Sequence, residues 1–277
     1  MSAKPRDDDG RVVVGLWQAA MDASAMQAAA ELARLLSLDL HALFVEDEAL
    51  ITMASLPFAR EIRLTTHTWS KLSSEDIEAQ MHVAALRAQR LVDEAAKAVG
   101  IASAFEIVRG DPAACIATVC RASDILVVAE RGRPSLPAGA ALPREAEETP
   151  ARSILLLPER PAARRGSIVA VPADMRDPAL DTACALAAAT GEDLVILLAP
   201  GTTPEAAREA VDHARAAGLG RQHVATRLVH GEDARDWLAT MTGLRERLIV
   251  IGGTSPLAAF ASRLVAARNV AVLLTRA

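Results

Sequence analysis

Tyrosine is absent from this chain and the other aromatic residues are few, which argues against one large class of functions. Phe, Trp and Tyr together make up 3% of the residues. Proteins that bind single-stranded nucleic acids stack successive bases on such side chains. Positive charge is not in excess either, because the formal net charge is -5, whereas a protein that binds the phosphate backbone needs many cations. We therefore expect no nucleic-acid partner.

Cysteine is also scarce, and its number is odd. The three cysteines are Cys115, Cys120 and Cys184, all in or beside apolar helical patterns. The spacing of Cys115 and Cys120 fits neither a redox motif nor a zinc pair. This usage disfavours a disulfide framework and favours the reducing cytoplasm. We expect the cysteines to act as small buried hydrophobic residues.

Long apolar runs are missing as well. The longest uncharged run, residues 248–262, has about 15 residues and is broken by a Gly-Gly-Thr-Ser-Pro stretch, whereas a membrane-spanning helix needs about 20. Residues 1–10 are polar and acidic, unlike a secretory signal, and predict a disordered tail. We expect a soluble cytoplasmic protein that does not contact a membrane.

Recognisable catalytic and metal-binding patterns are absent. No Gly-x-Ser-x-Gly motif occurs, and no cysteine has a histidine at the spacing of a known nucleophile motif. The histidines are scattered without ligand spacing. The sequence therefore predicts no catalytic residue and no metal site, and a nucleotide hydrolase is the weakest of the hypotheses that we consider.

What the chain does contain is a repeat. Residues 108–112 (VRGDP) precede residues 124–132 (DILVVAERG), and residues 229–233 (VHGED) precede residues 247–255 (RLIVIGGTS) in the same way. Each copy predicts a strand end, a glycine turn, an acidic helix start, a helix, a buried strand and a polar or glycine-containing loop. Such a repeat, with a period of about 120 residues, indicates that the fold is duplicated.

Short apolar runs alternate with amphipathic stretches along the whole chain. The predicted strands are 12–16, 40–45, 104–108, 125–129, 153–157, 167–171, 194–198, 223–229, 248–251 and 270–274. The predicted helices include 22–36, 77–99, 178–189, 204–217, 233–243 and 256–267. Strands that alternate with helices form parallel sheets through right-handed crossovers. The fold class is therefore α/β, with two doubly wound five-stranded parallel-sheet domains.

The repeat also predicts the domain boundaries. After the tail at 1–10, the first domain covers residues 11–158, a Pro- and Arg-rich linker covers 159–166, and a shorter second domain covers 167–277. Residues 46–74 have no counterpart in the second domain. They contain Pro57 and a polar, irregular stretch from residue 62, so we predict that they form a mobile lid or a partner surface.

The first copy resembles the universal stress protein (UspA-like) family in its tandem two-domain form. Residues 108–113 match a Gly-Asp-Pro helix start, and residues 124–133 (DILVVAERGR) are similar to the strand and loop that follow it in family members. The resemblance implies a Rossmann-like, adenine nucleotide alpha hydrolase-like fold and a role in the stress response or in regulation. It covers most of both halves and is weaker in the second.

Nucleotide-binding members of this family carry a glycine-rich loop of the form Gly, two residues, Gly, nine residues, then Gly before Ser or Thr. In the first copy Ala129 takes the first glycine position and Gly132 the second, but Leu142 and Pro143 stand where the closing pair belongs. A proline has no N–H to donate to a phosphate. The first loop is therefore degraded.

The second loop departs from the pattern too. Gly252 fits the first glycine position, but Ser255 stands at the second, and the closing pair falls on two alanines near residue 258. The acidic residue that the family pattern has at the end of the first strand is replaced by Leu16–Trp17 in one copy and by Pro172 in the other. Both nucleotide sites have thus lost several ligands.

Two candidate anion sites remain. Gly252, Gly253, Thr254 and Ser255 would supply amides and hydroxyls at a helix start, which favours phosphate, but the same residues also fit an ordinary capped helix after a tight turn. Residues 130–133 (ERGR), which include Arg131 and Gly132, would form a basic phosphate clamp or a solvated loop. His230 matches Arg109 across the repeat, at a strand end where ligands of open α/β sheets bind.

These observations predict a non-enzymatic stress-response or regulatory protein that has no cofactor and acts on a protein partner not identified by the sequence. The alternative is a divergent regulator that binds ATP or AMP.

Both final strands, 154–157 and 270–274, are apolar and would be exposed sheet edges if left alone. We expect them to pair antiparallel within one chain as an internal pseudo-dimer, and a homodimer of whole chains stays open.

Overall fold

The computed structural model describes residues 10–16, 23–63, 68–129, 142, 144–158, 165–219, 223–231 and 233–276. Ten strands form one sheet, and a separate two-stranded hairpin lies outside it. The predicted tail at residues 1–9 and most of the predicted linker, residues 159–164, lie outside the described residues. We refer to residues 10–158 as the first half and to residues 165–276 as the second half.

The first half contains seven strands and five helices among its described residues. In chain order they are β1 (Arg11–Leu16), α1 (Ala23–Leu35), β2 (Asp39–Asp47), α2 (Glu48–Ser55), β3 (Arg60–Arg63), β4 (Thr68–Lys71), α3 (Ser74–Val99), β5 (Ser103–Gly110), α4 (Pro112–Val119), β6 (Ile125–Ala129), α5 (Arg144–Glu148) and β7 (Ser153–Leu157).

The second half repeats this alternation without a hairpin in the part that the structure describes. Its elements are β8 (Ser167–Val171), α6 (Pro178–Thr190), β9 (Leu194–Leu198), α7 (Pro204–Ala216), β10 (Val224–Leu228), α8 (Ala234–Thr240), β11 (Glu246–Gly252), a short 3-10 turn (Ala258–Phe260), α9 (Ala261–Arg268) and β12 (Ala271–Thr275).

The strand order is β10-β9-β8-β11-β12-β7-β6-β1-β2-β5. Each half contributes five strands to this sheet. If these five are numbered in chain order, both halves follow one order outward from the middle: fifth, fourth, first, second and third. Within each half, all strand pairs of this ten-stranded sheet are parallel. Val12, for example, lies opposite Leu40 on one side and Ile125 on the other. Helices cover both faces of the sheet. The buried apolar residues of strands and helices form two clusters, one on each face. The predicted α/β fold class is confirmed.

The halves are joined through their last strands. β12 pairs antiparallel with β7, so that Val272 lies opposite Leu156 and Leu274 opposite Ile154. These four side chains are buried. The predicted antiparallel pairing of the final strands is confirmed, and it turns two five-stranded sheets into one continuous sheet. The predicted domain boundaries themselves stay a prediction.

Local sequence signals explain most of the helix ends. Asp111 and Thr203 precede helices that begin with proline, and their side chains accept hydrogen bonds from the first-turn amides of Ala114 and Ala206. α3 ends at Gly100, whose φ of +74° lies in the left-handed region that favours glycine. Because caps and apolar runs are local signals, the predicted strands at 125–129, 153–157, 167–171 and 194–198 agree with the structure to the residue.

Three predictions need correction. The stretch from residue 62 is not irregular, since β3 and β4 form an antiparallel hairpin there. The helix predicted to begin at Pro256 begins at Ala261 instead, after the 3-10 turn. Cys115 is only partly buried, whereas Cys120 and Cys184 are buried as expected. Among the described residues no helix is both long and apolar enough to cross a membrane.

Candidate functional site

The second half has a complete switch point at the carboxyl edge of its sheet. β8 and β11 are hydrogen-bonded neighbours, with Ile251 opposite Val171 at their carboxyl ends. The helix after β8 packs on one face of the sheet and the helix after β11 on the other. Open α/β sheets bind ligands in the crevice that such diverging connections leave. The candidate loop Gly252–Ser255 lies at this place.

The donors of this loop are already used within the protein. The amide of Gly253 donates to the carbonyl of Thr275 at 2.5 Å, and the amide of Ser255 donates to the carbonyl of Gly252 at 2.9 Å. The Ser255 side chain is buried, and its Oγ accepts a hydrogen bond from the amide of Leu257 at 3.4 Å. Gly253 and Thr254 are exposed. Two of the amides expected to hold an anion therefore have internal acceptors.

The helix that was expected to begin directly after this loop begins further along the chain. The chain makes turns from Gly253 to Leu257 and then one 3-10 turn, and α9 begins only at Ala261. A phosphate site of this kind depends on the free amides in the first turn of a helix directly after the glycine loop. The prediction that Gly252–Ser255 opens a helix is wrong, because Pro256 is followed by a tight turn.

A carboxylate occupies the position that faces Gly252. Asp177, in the loop after β8, lies so close that a Cβ added to Gly252 would come within 1.7 Å of its Oδ2. Its Oδ2 accepts from the amide of Ala173 at 2.7 Å, and its Oδ1 accepts from the amide of Ala179 at 2.9 Å. Asp177 is therefore held in place as the cap of α6, with its negative charge against the glycine loop.

Sequence reasoning missed Asp177. It considered Pro172 as the residue in place of the family's acidic group, whereas the acid that reaches β11 lies five residues further along. The available signal was Asp177 followed by Pro178, a pattern that predicts a helix cap. That pattern does not reveal a contact with Gly252, since the two residues are brought together only by the parallel pairing of β8 and β11.

In the first half, most of the candidate loop lies outside the part of the chain that the structure describes. Arg131 and Gly132 lie outside the described residues, as do residues 17–22 after β1 and Pro143. Leu142 is buried. The predicted basic clamp at Arg131 and Gly132 stays a prediction.

Arg109 does lie in the described part of that edge, and its charge is neutralised there. Its guanidinium donates to Glu46 Oε2 from Nε at 3.1 Å and from Nη2 at 2.9 Å, and Nη1 lies 3.7 Å from Glu78. These contacts tie β5 to β2 and to α3, and they raise the pKa of Arg109, chiefly through the hydrogen bond to Glu46. Arg109 is thus an ion-pair partner in this structure.

His230, its match in the repeat, lies in a different setting. It lines a shallow cleft of about 490 Å³ with Arg227, Asp236 and Thr240. Arg227 donates to the backbone carbonyl of Thr240 at 2.8 Å. The repeat therefore places the two residues at equivalent strand ends without giving them equivalent partners.

The best-defined buried charge lies at the opposite, amino edge of the first half. The side chain of Asp124 is fully buried and accepts hydrogen bonds from the amide, Nε and Nη2 of Arg11 at 2.9, 3.3 and 2.7 Å. The amide of Arg121 donates a further bond at 2.9 Å. Burial alone would raise the pKa of Asp124, but these hydrogen bonds outweigh it and lower the pKa. This pair fixes β1 to the loop before β6.

Other reactive groups offer little chemistry. Burial raises the pKa of the Cys120 and Cys184 thiols to about 11, so the thiolate, which is the nucleophilic form, is scarce near neutral pH. Within the described ranges, no group of three or more His, Cys, Asp or Glu side chains could hold a metal ion.

Comparison with known proteins connects this fold to solved structures. No family model matches the sequence, and no curated protein sequence matches it significantly. A universal stress protein from Archaeoglobus fulgidus is 15% identical and superposes with a TM-score of 0.59, covering 97% of this chain and 97% of that chain. Most of the chain thus has a structural counterpart there, including both halves.

Two structures from Pseudomonas aeruginosa are similar as well. One, described as a universal stress protein, is 17% identical over 96% of this chain and 93% of that chain, with a TM-score of 0.50. The other, described as functionally unknown, is 18% identical over 96% and 92%, also with a TM-score of 0.50. At these identities the likeness concerns the fold. The chain has the fold of the universal stress proteins.

Proposed function

We propose that this chain is a tandem universal stress protein-like protein that acts in regulation or in the stress response by binding other molecules, without catalysis and without a bound nucleotide. The observation that carries the proposal is the carboxylate of Asp177 against Gly252. This carboxylate lies directly against the first glycine of the loop that would bind a phosphate.

Electrostatics and hydrogen bonding both support this proposal. A phosphate at Gly252 would stand beside a carboxylate of the same sign, and like charges at contact distance repel strongly in a half-buried setting. To make room, Asp177 would have to release the amides of Ala173 and Ala179. Each hydrogen bond to a charged group contributes about 1.5 to 3 kcal/mol. The second half therefore opposes an anion at this loop.

The first half supports the proposal through its sequence. Its loop has Ala129 in place of the first glycine and Pro143 in place of a donor. The buried thiols of Cys120 and Cys184, with their raised pKa values, offer no ready nucleophile. No described feature favours the alternative of an ATP- or AMP-dependent regulator, and one titration distinguishes the two.

The test is calorimetric titration of the whole chain with ATP and with AMP, each with and without magnesium. We expect no dissociation constant below about 10 μM, which corresponds to roughly -7 kcal/mol. Asp177→Asn removes the negative charge of this side chain but keeps its shape, so it tests whether that charge opposes nucleotide binding. Asp181→Asn, on the exposed side of the same helix, is the matched control. Tight ATP binding by the unaltered chain would contradict the proposal, whatever the variants do.

A further inference from the structure

Large apolar side chains are exposed mainly in one part of the molecule. Among the described residues, seven of the nine exposed large hydrophobic side chains belong to residues 53–86, and the other two lie on the edge strands β5 and β10. The seven are Met53, Leu56, Phe58, Ile62, Trp69, Val83 and Leu86. They lie on α2, on the short segment that follows it, on the β3–β4 hairpin and on α3, and we call them the arm surface. Protein–protein interfaces are enriched in aromatic residues and Met.

The hairpin turns its apolar side outward. Ile62 and Trp69 are cross-strand partners and are 44% and 66% exposed. Glu61 and Ser70 form the neighbouring pair on the other face, where they are less exposed and share a hydrogen bond of 2.8 Å. A hairpin that packs on its own domain has the opposite arrangement, with the apolar side against the core.

The hairpin also has little support from its own chain. Among the described elements, β3 and β4 make extensive backbone contacts only with each other. A two-stranded hairpin in water is at best marginally stable by itself. An outward apolar pair on a weakly supported hairpin therefore indicates a surface that becomes buried in an assembly.

A groove of matching character lies between α2 and α3. Its volume is about 720 Å³, and its apolar lining includes Phe44, Leu50, Ile77 and Met81. Asp76 lines it at the start of α3, and this first turn also carries Glu75.

Charge on the hairpin is complementary to this end of the groove. Residues 60–71 contain Arg60, Arg63 and Lys71 against one acid, in a chain whose net charge is -5. Arg87 also lines the groove, so its negative charge is confined to the end at the first turn of α3. A basic apolar hairpin and an apolar groove with one acidic end complement each other between two copies.

The area of the arm surface approaches that of a standard contact. Aromatic side chains bury about 150–250 Å² each, and with about 200 Å² for each of the seven side chains their exposed fractions amount to roughly 700 Å². A standard interface buries about 800 Å² on each partner.

We propose that a second copy of this chain covers the arm surface, with the hairpin of each copy docked in the α2–α3 groove of the other. Trp69 and Ile62 fill the groove, and Arg60 meets the acidic first turn of α3. The contact is reciprocal, as a twofold dimer requires. It does not depend on the proposed function, because it involves neither glycine loop.

The test is sedimentation of the whole chain from about 1 to 100 μM, a range that brackets a micromolar dissociation constant. We expect a concentration-dependent dimer. Trp69→Ser should weaken it at least about tenfold. Leu228→Ser is the matched control, since Leu228 is 41% exposed but lies on the far edge strand β10. This control should dimerise like the unaltered chain.

A mixing experiment distinguishes docking in the groove from a contact between two hairpins. Met81→Lys places a cation in the groove and should also weaken the dimer, with Gln80→Lys as a second, more exposed groove variant. When the Trp69→Ser and Met81→Lys chains are mixed, one intact hairpin meets one intact groove, so heterodimers should exceed either homodimer. A chain that is monomeric at 100 μM overturns the proposal, and so does a dimer insensitive to Trp69→Ser or a mixture without heterodimers. Circular dichroism confirms that each variant is folded.

Discussion

At the scale of single residues, a few buried polar groups determine which contacts the fold allows. Asp177 fixes the first turn of α6 and stands against Gly252, while Asp124 joins β1 to the loop before β6. Asp177 caps a helix and Asp124 directly precedes a strand. In this structure their oxygens are satisfied by the protein's own amides and by Arg11.

Replacing Asp124 tests how much its ion pair contributes to stability. Asp124→Asn leaves the Arg11 guanidinium half-buried without its partner charge, and breaking a buried pair in this way costs about 3–5 kcal/mol. Urea unfolding should show a corresponding loss. Asp181→Asn removes an exposed acid that contacts His213, and it should change the free energy of unfolding by less than about 0.5 kcal/mol. If both variants lower the free energy of unfolding equally, the buried pair of Asp124 with Arg11 does not stabilise the fold as we infer.

His41 should make stability depend on pH. Burial lowers its pKa from the usual value of about 6.5, although Glu106 lies 3.4 Å from Nε2 and acts in the opposite direction. Because the folded pKa is below the unfolded one, the stabilising contribution is present above about pH 6.5 and is lost as the pH falls through the folded pKa.

Urea midpoints of the unaltered chain should therefore decline as the pH falls below about 6.5. His41→Val should flatten this part of the profile, and His82→Gln, at an exposed site on α3, should flatten it less. A profile that is the same with and without His41 would show that other groups cause the decline.

At the scale of elements, sequence predicted what is local and missed what is not. The buried strands have uninterrupted apolar runs, so β6 to β9 were placed to the residue. β3 and β4 were missed because each has only four residues and mixes charges with Ile62 or Trp69. The late start of α9 was missed because Pro256 fits a first helical turn as well as it fits the tight turn observed. The contact of Asp177 with Gly252 depends on strand pairing, which no local pattern contains.

The segment 46–74 was predicted to be a mobile lid or a partner surface, and hydrogen exchange can test its stability. At concentrations where the chain is monomeric, amides of the β3–β4 hairpin should exchange much faster than those of β1, because few contacts hold the hairpin to the rest of the chain. At high concentration the hairpin should become protected if the second copy covers it. Protection equal to that of β1 at all concentrations would mean that the hairpin belongs to the rigid core.

At the scale of the whole molecule, the pairing of β7 with β12 determines how the two halves behave. These strands lie in the middle of ten and are buried on both faces, so neither half has its final strand exposed. We expect the halves to unfold together. A single urea transition that coincides by fluorescence and circular dichroism would be the sign of this coupling.

A proline in the central pair tests the same coupling. Leu156→Pro removes a backbone donor and forces a fixed φ in a strand that has neighbours on both sides, so we expect aggregation or two separate transitions. Leu228→Pro, on the edge strand β10, is the matched control and should be tolerated better. If both variants unfold in one transition like the unaltered chain, the pairing is not what couples the halves.

The antiparallel pairing also decides which way each half faces. In the ten-stranded sheet the strands of each half are parallel, and β7 runs opposite to β12. The carboxyl ends of the strands therefore lie at one edge of the sheet in the first half and at the opposite edge in the second. The length of a strand separates the carboxyl ends of the two halves, so a small ligand bound at one set would not reach the other. Substitutions at the carboxyl ends of one half therefore need not affect the other half, and the two edges of the sheet can carry separate functions.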